Sequence, residues 1–283
     1  MNSERPMDIS FVILTWNSER HIAKCLESLF GQLRSDSFSF EVFLVDNGSS
    51  DRTVTLIEGY KNYYPKHVIP IYLRTNRGTT YSRNIALRRA SGKYVIIMDS
   101  DVQLVDGVIQ GAISTLQDMP RVGLVAPKLL YPDGRLQKST DILPTLQHKM
   151  FRYLFLKYLE RSEGASEQLS TLHDVDYAIS AMWVMRKSVI DEIGLLDENI
   201  FYSPEDVDYC LRLWKAGYRV VYDPTISAFH DAQEISRKFQ LSSATICHIS
   251  GLVYYFRKHQ YFFRRPNFRK PKAVSILQEC KDL

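Results

Sequence analysis

The first hundred residues alternate between short apolar runs and segments with hydrophobic residues at helical spacing. In the first helical segment, Ile22, Leu26, Leu29 and Phe30 occupy positions i, i+4, i+7 and i+8, which lie on one face of an α-helix. The apolar runs that predict strands span residues 8–17, 40–46, 68–76 and 94–99. Strands that alternate with helices at this interval predict an α/β fold, with a mostly parallel central sheet and helices on both of its faces.

Polar residues cluster where each of the four predicted strands ends. In strand order, the clusters are Thr15 with Asn17, residues 46–51, residues 74–78, and Asp99 with Asp101. Ligands on open parallel sheets bind outside the carboxyl ends of the strands. The four clusters together therefore predict a ligand site at that edge of the sheet.

Two carboxylates, Asp99 and Asp101, stand one residue apart directly after the apolar strand YVIIM. At a strand end, residues i and i+2 point to the same side, so their charges repel each other unless a cation lies nearby. Oxygen ligands of this kind suit Mg²⁺ or Mn²⁺. The alternative is that both side chains cap the next turn, since a D-x-D spacing is frequent by chance. The position at the end of a buried strand favours the cation.

A second candidate site begins in the segment SPEDVDYCLRLWKAG. Ser203 is predicted to cap a helix whose first residue is Pro204 and which ends at Gly217. Glu205 and Asp206 then lie in its first turn, where each carboxylate stabilises the helix by ~0.3–1 kcal/mol. The same position keeps a carboxylate ionised and able to act as a general base. From this segment alone, both interpretations stand.

Two further side chains depend on their surroundings. His230 ends the strand-like segment YRVVYDPTISAFH, and it becomes a metal-ligand candidate if that strand delivers it to the Asp99 and Asp101 pair. Arg83 lies in the helix predicted after residue 78, where it either reaches a diphosphate or sits on a solvated helix face.

Composition limits the class of protein. The chain has 283 residues, of which 45% are hydrophobic and 24% are charged, as in ordinary soluble proteins. No run reaches the ~18 apolar residues of a membrane span, and the N-terminus shows no signal-peptide pattern. The four cysteines are scattered without metal-type spacing, which indicates reduced thiols and a cytoplasmic protein.

The charge is uneven along the chain. Residues 235–278 contain nine Lys or Arg and no Asp or Glu, which leaves the rest with 27 basic and 32 acidic residues. Within this region, residues 254–272 interleave aromatic and basic side chains. They form either a peripheral membrane surface or a terminal helix packed against the core or a partner subunit. Nucleic acid fits less well, because no recognition motif accompanies the charge.

Taken together, these segments resemble the inverting glycosyltransferases of family 2, which have the GT-A fold. The matching motifs are TWN at 15–17, VDNGSSDRT at 45–53, NRG and SRN within 76–84, DSD at 99–101, and EDVDYCLRLWKAGYRVVYDPTISAFH at 205–230. The resemblance covers roughly residues 8–260. Its last segment is most similar to bacterial rhamnosyltransferases and related polysaccharide glycosyltransferases.

The resemblance implies a role for each matching residue on the donor side. Thr15, Asn17 and Asp46 would line the pocket for the base and ribose of a nucleotide-diphosphate sugar. Arg83 would approach the base or the diphosphate. Asp99 would contact the ribose or the metal.

The resemblance also implies the metal ligands and the base. Asp101 would bind Mg²⁺ or Mn²⁺ directly, with Asp99 beside it and His230 as an additional ligand. Asp206 would take the proton of an acceptor hydroxyl as it attacks the donor. The metal and Arg83 would stabilise the leaving diphosphate.

The implied protein has a GT-A catalytic domain at 1–232, with a nucleotide-sugar-binding half (1–104) and an acceptor-binding half (105–232). A basic, aromatic-rich helical extension follows at 233–283. It would transfer a hexosyl or deoxyhexosyl group to a glycan or lipid-linked acceptor in cell-surface polysaccharide biosynthesis, in the cytoplasm or at the inner face of the membrane. The alternatives are an aspartyl-nucleophile phosphohydrolase and a non-catalytic nucleotide-sugar-binding subunit.

Overall fold

A computed structural model describes residues 7–33, 38–146, 171–232 and 243–266. The described strands are β1 (Ile9–Thr15), β2 (Phe40–Asp46), β3 (Val68–Tyr72), β4 (Tyr94–Asp99), β5 (Val102–Leu104), β6 (Val122–Leu130), β7 (Thr140–Asp141), β8 (His173–Asp174), β9 (Tyr177–Ala178), β10 (Met182–Arg186) and β11 (Arg219–His230). The described helices are α1 (Ile22–Leu33), α2 (Thr53–Tyr63), α3 (Thr79–Leu87), α4 (Val108–Asp118), α5 (Lys187–Ile193), α6 (Glu205–Lys215) and α7 (Ser243–His259).

Nine of these strands form one sheet, in which eight follow the order β3-β2-β1-β4-β10-β6-β11-β5 and β8 pairs with β11. The strands β3, β2, β1 and β4 are all parallel, as the alternation of apolar runs and helices predicted. Strand β10 runs antiparallel to both of its neighbours, β4 and β6, while β6 and β11 pair in parallel. The predicted α/β fold with a mostly parallel sheet and helices on both sides is confirmed.

Alternate residues of each central strand enter two separate cores, one on each face of the sheet. Phe11 and Ile13 of β1 pack in a core with Leu26 of α1, on the face that also carries α4. Val12, between them, packs on the opposite face with Leu87 of α3. Because both faces are buried, the central strands are apolar at nearly every position, and their polar residues are left for the strand ends.

Strand β5 follows β4 in the chain and pairs with the end of β11 at the predicted ligand edge. The chain turns after β4 and pairs β5 antiparallel to the end of β11, with Val102 opposite His230. The backbone N–H of Asp231 also donates a hydrogen bond to the carbonyl of Asp101, at 3.0 Å. This pairing brings the last residue of β11 beside the turn that follows β4.

The C-terminal helix α7 packs on α6. Tyr255 and Phe256 share a small buried core with Val207 and Leu211 of α6. Gly251 lies so close to the chain before α6 that a Cβ added to it would come within 2.1 Å of the carbonyl oxygen of residue 203. Among the described helices, none combines the length and apolar character that crossing a bilayer requires.

A buried carboxylate joins the two helices. Asp208 of α6 is 1% exposed and accepts hydrogen bonds from Lys258 Nζ at 2.6 Å and His259 Nε2 at 2.8 Å. Arg212 Nε donates to its other oxygen at 3.0 Å. Lys258 and His259 of the basic C-terminal segment are therefore engaged within the fold, both through Asp208 and Lys258 also through Asp197.

The structure corrects two predicted helix boundaries. Helix α6 begins at Glu205 rather than Pro204, and Pro204, not Ser203, is the residue that precedes it. The segment TTYSRNIALRRASG predicts a helix that is closed by Gly92, but helix α3 ends at Leu87. The aromatic and basic run at 148–168, and the parts of the predicted extension at 233–242 and 267–283, lie outside the described residues.

Candidate functional site

The structure brings Asp99, Asp101 and His230 together. Asp99 is the last residue of β4, Asp101 follows in the turn, and His230 is the last residue of β11. Each offers one ligand-type atom, and the three atoms lie within 4.8 Å of one another. Strand β11 thus delivers His230 to the Asp99 and Asp101 pair, which makes His230 a metal-ligand candidate.

The cluster has the chemistry of a site for a hard divalent cation. Asp101 Oδ1 is buried and accepts no hydrogen bond from the described part of the chain; His230 Nε2 lies 3.3 Å away, in a geometry short of a hydrogen bond. Burial raises the pKa of Asp99 and the Asp101 charge raises it further, while Arg83 opposes both. Burial lowers the pKa of His230, but the nearby Asp101 and Asp99 carboxylates outweigh it and leave that pKa raised. The donor set therefore fits Mg²⁺ or Mn²⁺.

Arg83 is the buried counter-ion of the site. Its side chain is 1% exposed, and Nη2 donates to Asp99 Oδ1 at 2.5 Å. Its Nη1 donates to Ser180 Oγ at 2.8 Å and lies 3.7 Å from Glu205 Oε1. The guanidinium thus bridges the strand-end carboxylate Asp99 and the first residue of α6. Its predicted direct contact with the donor stays a prediction.

The N-terminus of α6 carries two carboxylates in different surroundings. Glu205 is 7% exposed, and burial together with the Asp206 charge raises its pKa to about 8, against the opposing effect of Arg83. Ser180 Oγ donates to Glu205 Oε1 at 3.1 Å. Asp206 is only half-buried, and its Oδ1 accepts the backbone N–H of Val207 at 2.8 Å. The raised pKa favours the protonated form of Glu205, and Asp206 is the more accessible carboxylate of the pair.

Arg83 shows that the two carboxylate groups lie close together. Its guanidinium contacts Asp99 at the end of β4 and lies 3.7 Å from Glu205 Oε1 at the start of α6. The end of β4 and the N-terminus of α6 therefore face the same region. Burial, together with the charges of Glu205, Asp99 and Asp206 and against that of Arg83, raises the pKa of Tyr202, which precedes this helix start in the chain, to about 12.

The predicted base and ribose residues form a connected network at the ends of β1 and β2. Asp46 is 2% exposed and accepts hydrogen bonds from Thr15 Oγ1 at 3.1 Å and from Ser49 Oγ at 2.5 Å. Asn17 has φ of 50° and accepts the backbone N–H of Ser50 at 2.8 Å. These contacts hold the two loops against each other. The contact of Thr15, Asn17 and Asp46 with a nucleotide stays a prediction.

A cleft of about 660 Å³ opens beside this network. It is lined by Asn17, Glu19, Arg20, His21, Asp51 and Asp231. His21 Nδ1 lies 3.3 Å from Asp231 Oδ2, so the loop before α1 meets the chain that follows His230. The volume is within the range of small-molecule sites.

Two residues of the site were not recognised as such from the sequence. Ser180, a small residue in the strand-like segment VDYAISAMWVM, hydrogen-bonds both Arg83 and Glu205. Gln137 directly follows the segment YPDGRL, which is typical of a hairpin, and its Oε1 is 2.8 Å from His230 Nδ1. Nothing in the spacing around Gln137 pointed to His230, which is 93 positions away.

Comparison with known proteins shows which family the chain belongs to. The family model for "Glycosyl transferase family 2" matches residues 10–194. An N-acetylglucosaminyl-diphospho-decaprenol L-rhamnosyltransferase of Mycobacterium tuberculosis is 26% identical over 270 residues, covering 90% of this chain and 86% of the relative.

Solved structures share the fold at lower sequence identity. A structure of GalNAc-T7 with UDP, GalNAc and Mn²⁺ superimposes with a TM-score of 0.66 at 14% identity, covering 90% of this chain and 48% of that one. A mannosyltransferase of Pyrobaculum calidifontis with GDP-Man and Mn²⁺ superimposes with a TM-score of 0.60 at 19% identity, covering 98% of this chain and 68% of that one.

Proposed function

The chain belongs to glycosyltransferase family 2, and from that premise we propose that it transfers a sugar from a nucleotide-diphosphate donor, with inversion, in cell-surface polysaccharide biosynthesis. One observation carries the proposal. The Asp99, Asp101 and His230 cluster lies at the same sheet edge as the helix that carries Asp206, and Arg83 joins the two groups through Asp99 and Glu205.

The proposed metal ligands are Asp99, Asp101 and His230. A bound Mg²⁺ or Mn²⁺ would neutralise charge on the donor diphosphate and on the nucleoside diphosphate that leaves. The buried Asp101 oxygen without a hydrogen bond and the mutual repulsion of Asp99 and Asp101 support this choice of residues. The structures of GalNAc-T7 and of the mannosyltransferase contain Mn²⁺, which agrees with the proposed type of ion.

The proposed base is Asp206. It accepts the proton of an acceptor hydroxyl while the hydroxyl oxygen forms a bond to the anomeric carbon of the donor sugar. The bond between that carbon and the diphosphate oxygen breaks with its electron pair on the leaving nucleoside diphosphate. Because a single displacement takes place, the anomeric configuration inverts. The half-buried position of Asp206 at a helix N-terminus supports its ionised state.

In this proposal, Arg83 and Glu205 position the metal ligand Asp99 and the base Asp206. Arg83 balances the charge of Asp99 and orients its carboxylate by a short hydrogen bond. Burial raises the pKa of Glu205 and favours its protonated form, which limits the negative charge beside Asp206, and Ser180 Oγ donates a hydrogen bond to Glu205. In this proposal, Asp206 accepts the proton and Glu205 is a positioning residue.

The Asp206→Asn variant tests the base. We expect it to bind a donor nucleotide-sugar with unchanged affinity and to lose about 10²- to 10⁴-fold in transfer, since the amide cannot accept the proton. Thermal stabilisation by a panel of nucleotide-sugars with Mn²⁺ identifies the donor, and release of nucleoside diphosphate measures turnover.

The matched control is Asp191→Asn, an exposed carboxylate on α5 whose side chain is 60% exposed, which should leave both readings unchanged. Equal loss of donor binding and transfer in Asp206→Asn would assign Asp206 to helix stabilisation instead. Release of nucleoside diphosphate at the same rate with and without any acceptor would favour a hydrolase.

We propose that the acceptor is lipid-linked and that the protein acts at the inner face of the cell membrane. The M. tuberculosis relative is described as acting on a diphospho-decaprenol acceptor. In this chain, Phe262 and Phe263 are 40% and 61% exposed, and Arg264 and Arg265 follow them on the surface. Exposed rings beside cations are suited to an anionic lipid surface.

Vesicle co-sedimentation tests this membrane contact. We expect the protein to bind vesicles that contain phosphatidylglycerol and not vesicles of phosphatidylcholine alone. Replacing both Phe262 and Phe263 with Ser should weaken binding, whereas Tyr63→Ser, at an aromatic residue that is 77% exposed on α2, should not. Equal binding of the double variant and the parent protein would remove these residues from the proposed surface.

A further inference from the structure

Gln137 is buried against the candidate metal cluster from a separate part of the chain. It follows an isolated bridge between Leu130 and Leu136, and its backbone N–H donates to the carbonyl of Leu129 at 2.9 Å. These contacts hold the residue next to the end of β6, the parallel neighbour of β11. The side chain of Gln137 is thereby aimed at His230, and Gln137 is only 5% exposed.

The contact selects one nitrogen of the imidazole. Gln137 Oε1 lies 2.8 Å from His230 Nδ1, and a carbonyl oxygen can only accept a hydrogen bond. Nδ1 therefore carries the hydrogen. In the neutral ring, the lone pair is then on Nε2, the nitrogen that lies 3.3 Å from Asp101 Oδ1.

Resting on the proposed metal site, we propose that Gln137 is a positioning residue that fixes the tautomer and orientation of His230, so that Nε2 offers its lone pair to a divalent cation shared with Asp99 and Asp101. The opposite neutral tautomer would present an N–H to the cation and could not bind it. Partners of this kind orient metal-bound histidines and raise their basicity, and their loss typically weakens metal affinity about 10- to 100-fold.

The geometry distinguishes the contact between Gln137 and His230 from a buried polar contact that serves folding alone. A role in folding alone would need only that the two side chains satisfy each other, and either ring nitrogen could then point at the cluster. Here, the buried Gln137 Oε1 accepts from Nδ1, and His230 Nε2 is left facing Asp101 Oδ1. That oxygen has no hydrogen-bond partner in the described part of the chain. The same hydrogen bond also limits rotation of the ring about its bond to Cβ.

Mn²⁺ alone is the probe, with the free ion measured by its electron paramagnetic resonance signal in a titration of the full chain. We expect Gln137→Met, which nearly keeps the shape and loses the acceptor, to raise the Kd for Mn²⁺ by about tenfold or more. Gln137→Glu keeps an acceptor for Nδ1–H, so its affinity for Mn²⁺ should stay within about threefold of that of the parent protein.

The control is Ser139→Ala, which removes another buried polar group from the same segment. Its Oγ has no hydrogen-bond partner in the described part of the chain, so the Kd for Mn²⁺ should not change. Thermal unfolding of all three variants reports folding separately. Equal Mn²⁺ affinity of folded Gln137→Met and the parent protein would overturn the proposal, as would a loss in Gln137→Met that Gln137→Glu does not restore.

Nitrogen-15 chemical shifts of His230 give a second reading that a purely structural contact would not move. With the ring neutral, the parent protein should show a protonated Nδ1 and an unprotonated Nε2, and Gln137→Met should shift towards a mixture of tautomers. An unprotonated Nδ1 in the parent protein would contradict the proposal. If the parent protein did not bind Mn²⁺ at all, the proposed metal site itself would be refuted, together with the role of Gln137.

Discussion

The carboxylate of Asp208 and the carboxylate pair of Asp99 and Asp101 differ in how their negative charge is balanced. Asp208 faces α7, where Lys258, His259 and Arg212 all donate hydrogen bonds to it, and its pKa is lowered by these partners despite its burial. Asp99 faces the sheet edge with Asp101 beside it, and its pKa is raised although Arg83 contacts it.

This difference in charge balance distinguishes a structural role for the Asp208 group from a ligand-binding role for Asp99 and Asp101. The Asp208 group contains its own cations, so it is complete within the fold and joins two helices. In the other group, Asp99 and Asp101 repel each other, and Asp101 Oδ1 is buried without a hydrogen-bond partner in the described part of the chain. Burying such a group is unfavourable unless a cation completes it, which is the condition expected of a ligand site rather than of a packing contact.

Removing one carboxylate from the incomplete group should have the largest effect, and only on activity. Asp101→Asn should lower metal-dependent transfer by about a thousandfold, or about 4 kcal/mol of transition-state stabilisation. Because one of two repelling charges is removed, the free energy of unfolding should stay the same or rise. Turnover and denaturant unfolding measure the two quantities, and unchanged turnover would refute the metal role of Asp101.

The same change in the complete group should act on stability. Asp208→Asn leaves Lys258 and Arg212 beside a neutral side chain, and breaking a buried ion pair by removing one partner costs about 3 kcal/mol or more. Denaturant unfolding should show this loss. A decrease below about 1 kcal/mol would mean that the cations are as well satisfied by water as by Asp208.

Glu205, which lies beside Arg83 and the Asp99 group, and Asp208 should contribute to the free energy of unfolding with opposite dependences on pH. Its pKa of about 8 lies above the unfolded value, so the native state binds the extra proton and stability falls as the pH rises from the unfolded pKa of about 4.3 to 8. Asp208 has a lowered pKa, so its stabilising contribution is present above the unfolded value and is lost as the pH falls.

The Glu205→Gln variant isolates that slope. We expect the variant to become more stable than the parent protein as the pH rises, by roughly 1.4 kcal/mol per pH unit at most, and the difference to level off above pH ~8. Melting temperatures across this range measure it. Glu198→Gln is the contrasting control, because the pKa of Glu198 is lowered and its loss should not stabilise the protein at high pH. A constant difference between Glu205→Gln and the parent protein would show that Glu205 is ionised throughout.

The smallest expected effect comes from one cation of the complete group. Lys258→Met keeps much of the aliphatic stem and leaves Asp208 with Arg212 and His259. Asp197 also keeps its hydrogen bond from Tyr254. We expect a loss of about 1–2 kcal/mol in the free energy of unfolding, smaller than for Asp208→Asn. A larger loss than in Asp208→Asn would mean that Lys258, not Asp208, is the centre of the group.

Local sequence determined the elements and the edge at which the site lies. The apolar runs and helical spacings predict β1 to β4 and α1 to α3, since the periodicity of burial is a local property of strands and helices. The carboxyl ends of parallel strands meet at one edge, so the positions of Thr15, Asp46 and Asp99 near that edge follow from chain order alone. The family resemblance then implied specific roles for Asp206, as the base, and for His230, as a metal ligand, where the residues alone left alternatives open.

Only the tertiary structure decided which side chains meet and in what state of charge. The pairing of β5 with β11 sets His230 beside Asp101, and the hairpin after β6 sets Gln137 against the ring, across 93 positions of sequence. Packing also buries Glu205 more deeply than Asp206, although the two are adjacent in the chain. Local patterns cannot encode these outcomes, because desolvation and charge interactions depend on every element that packs around a group and not on its neighbours in sequence.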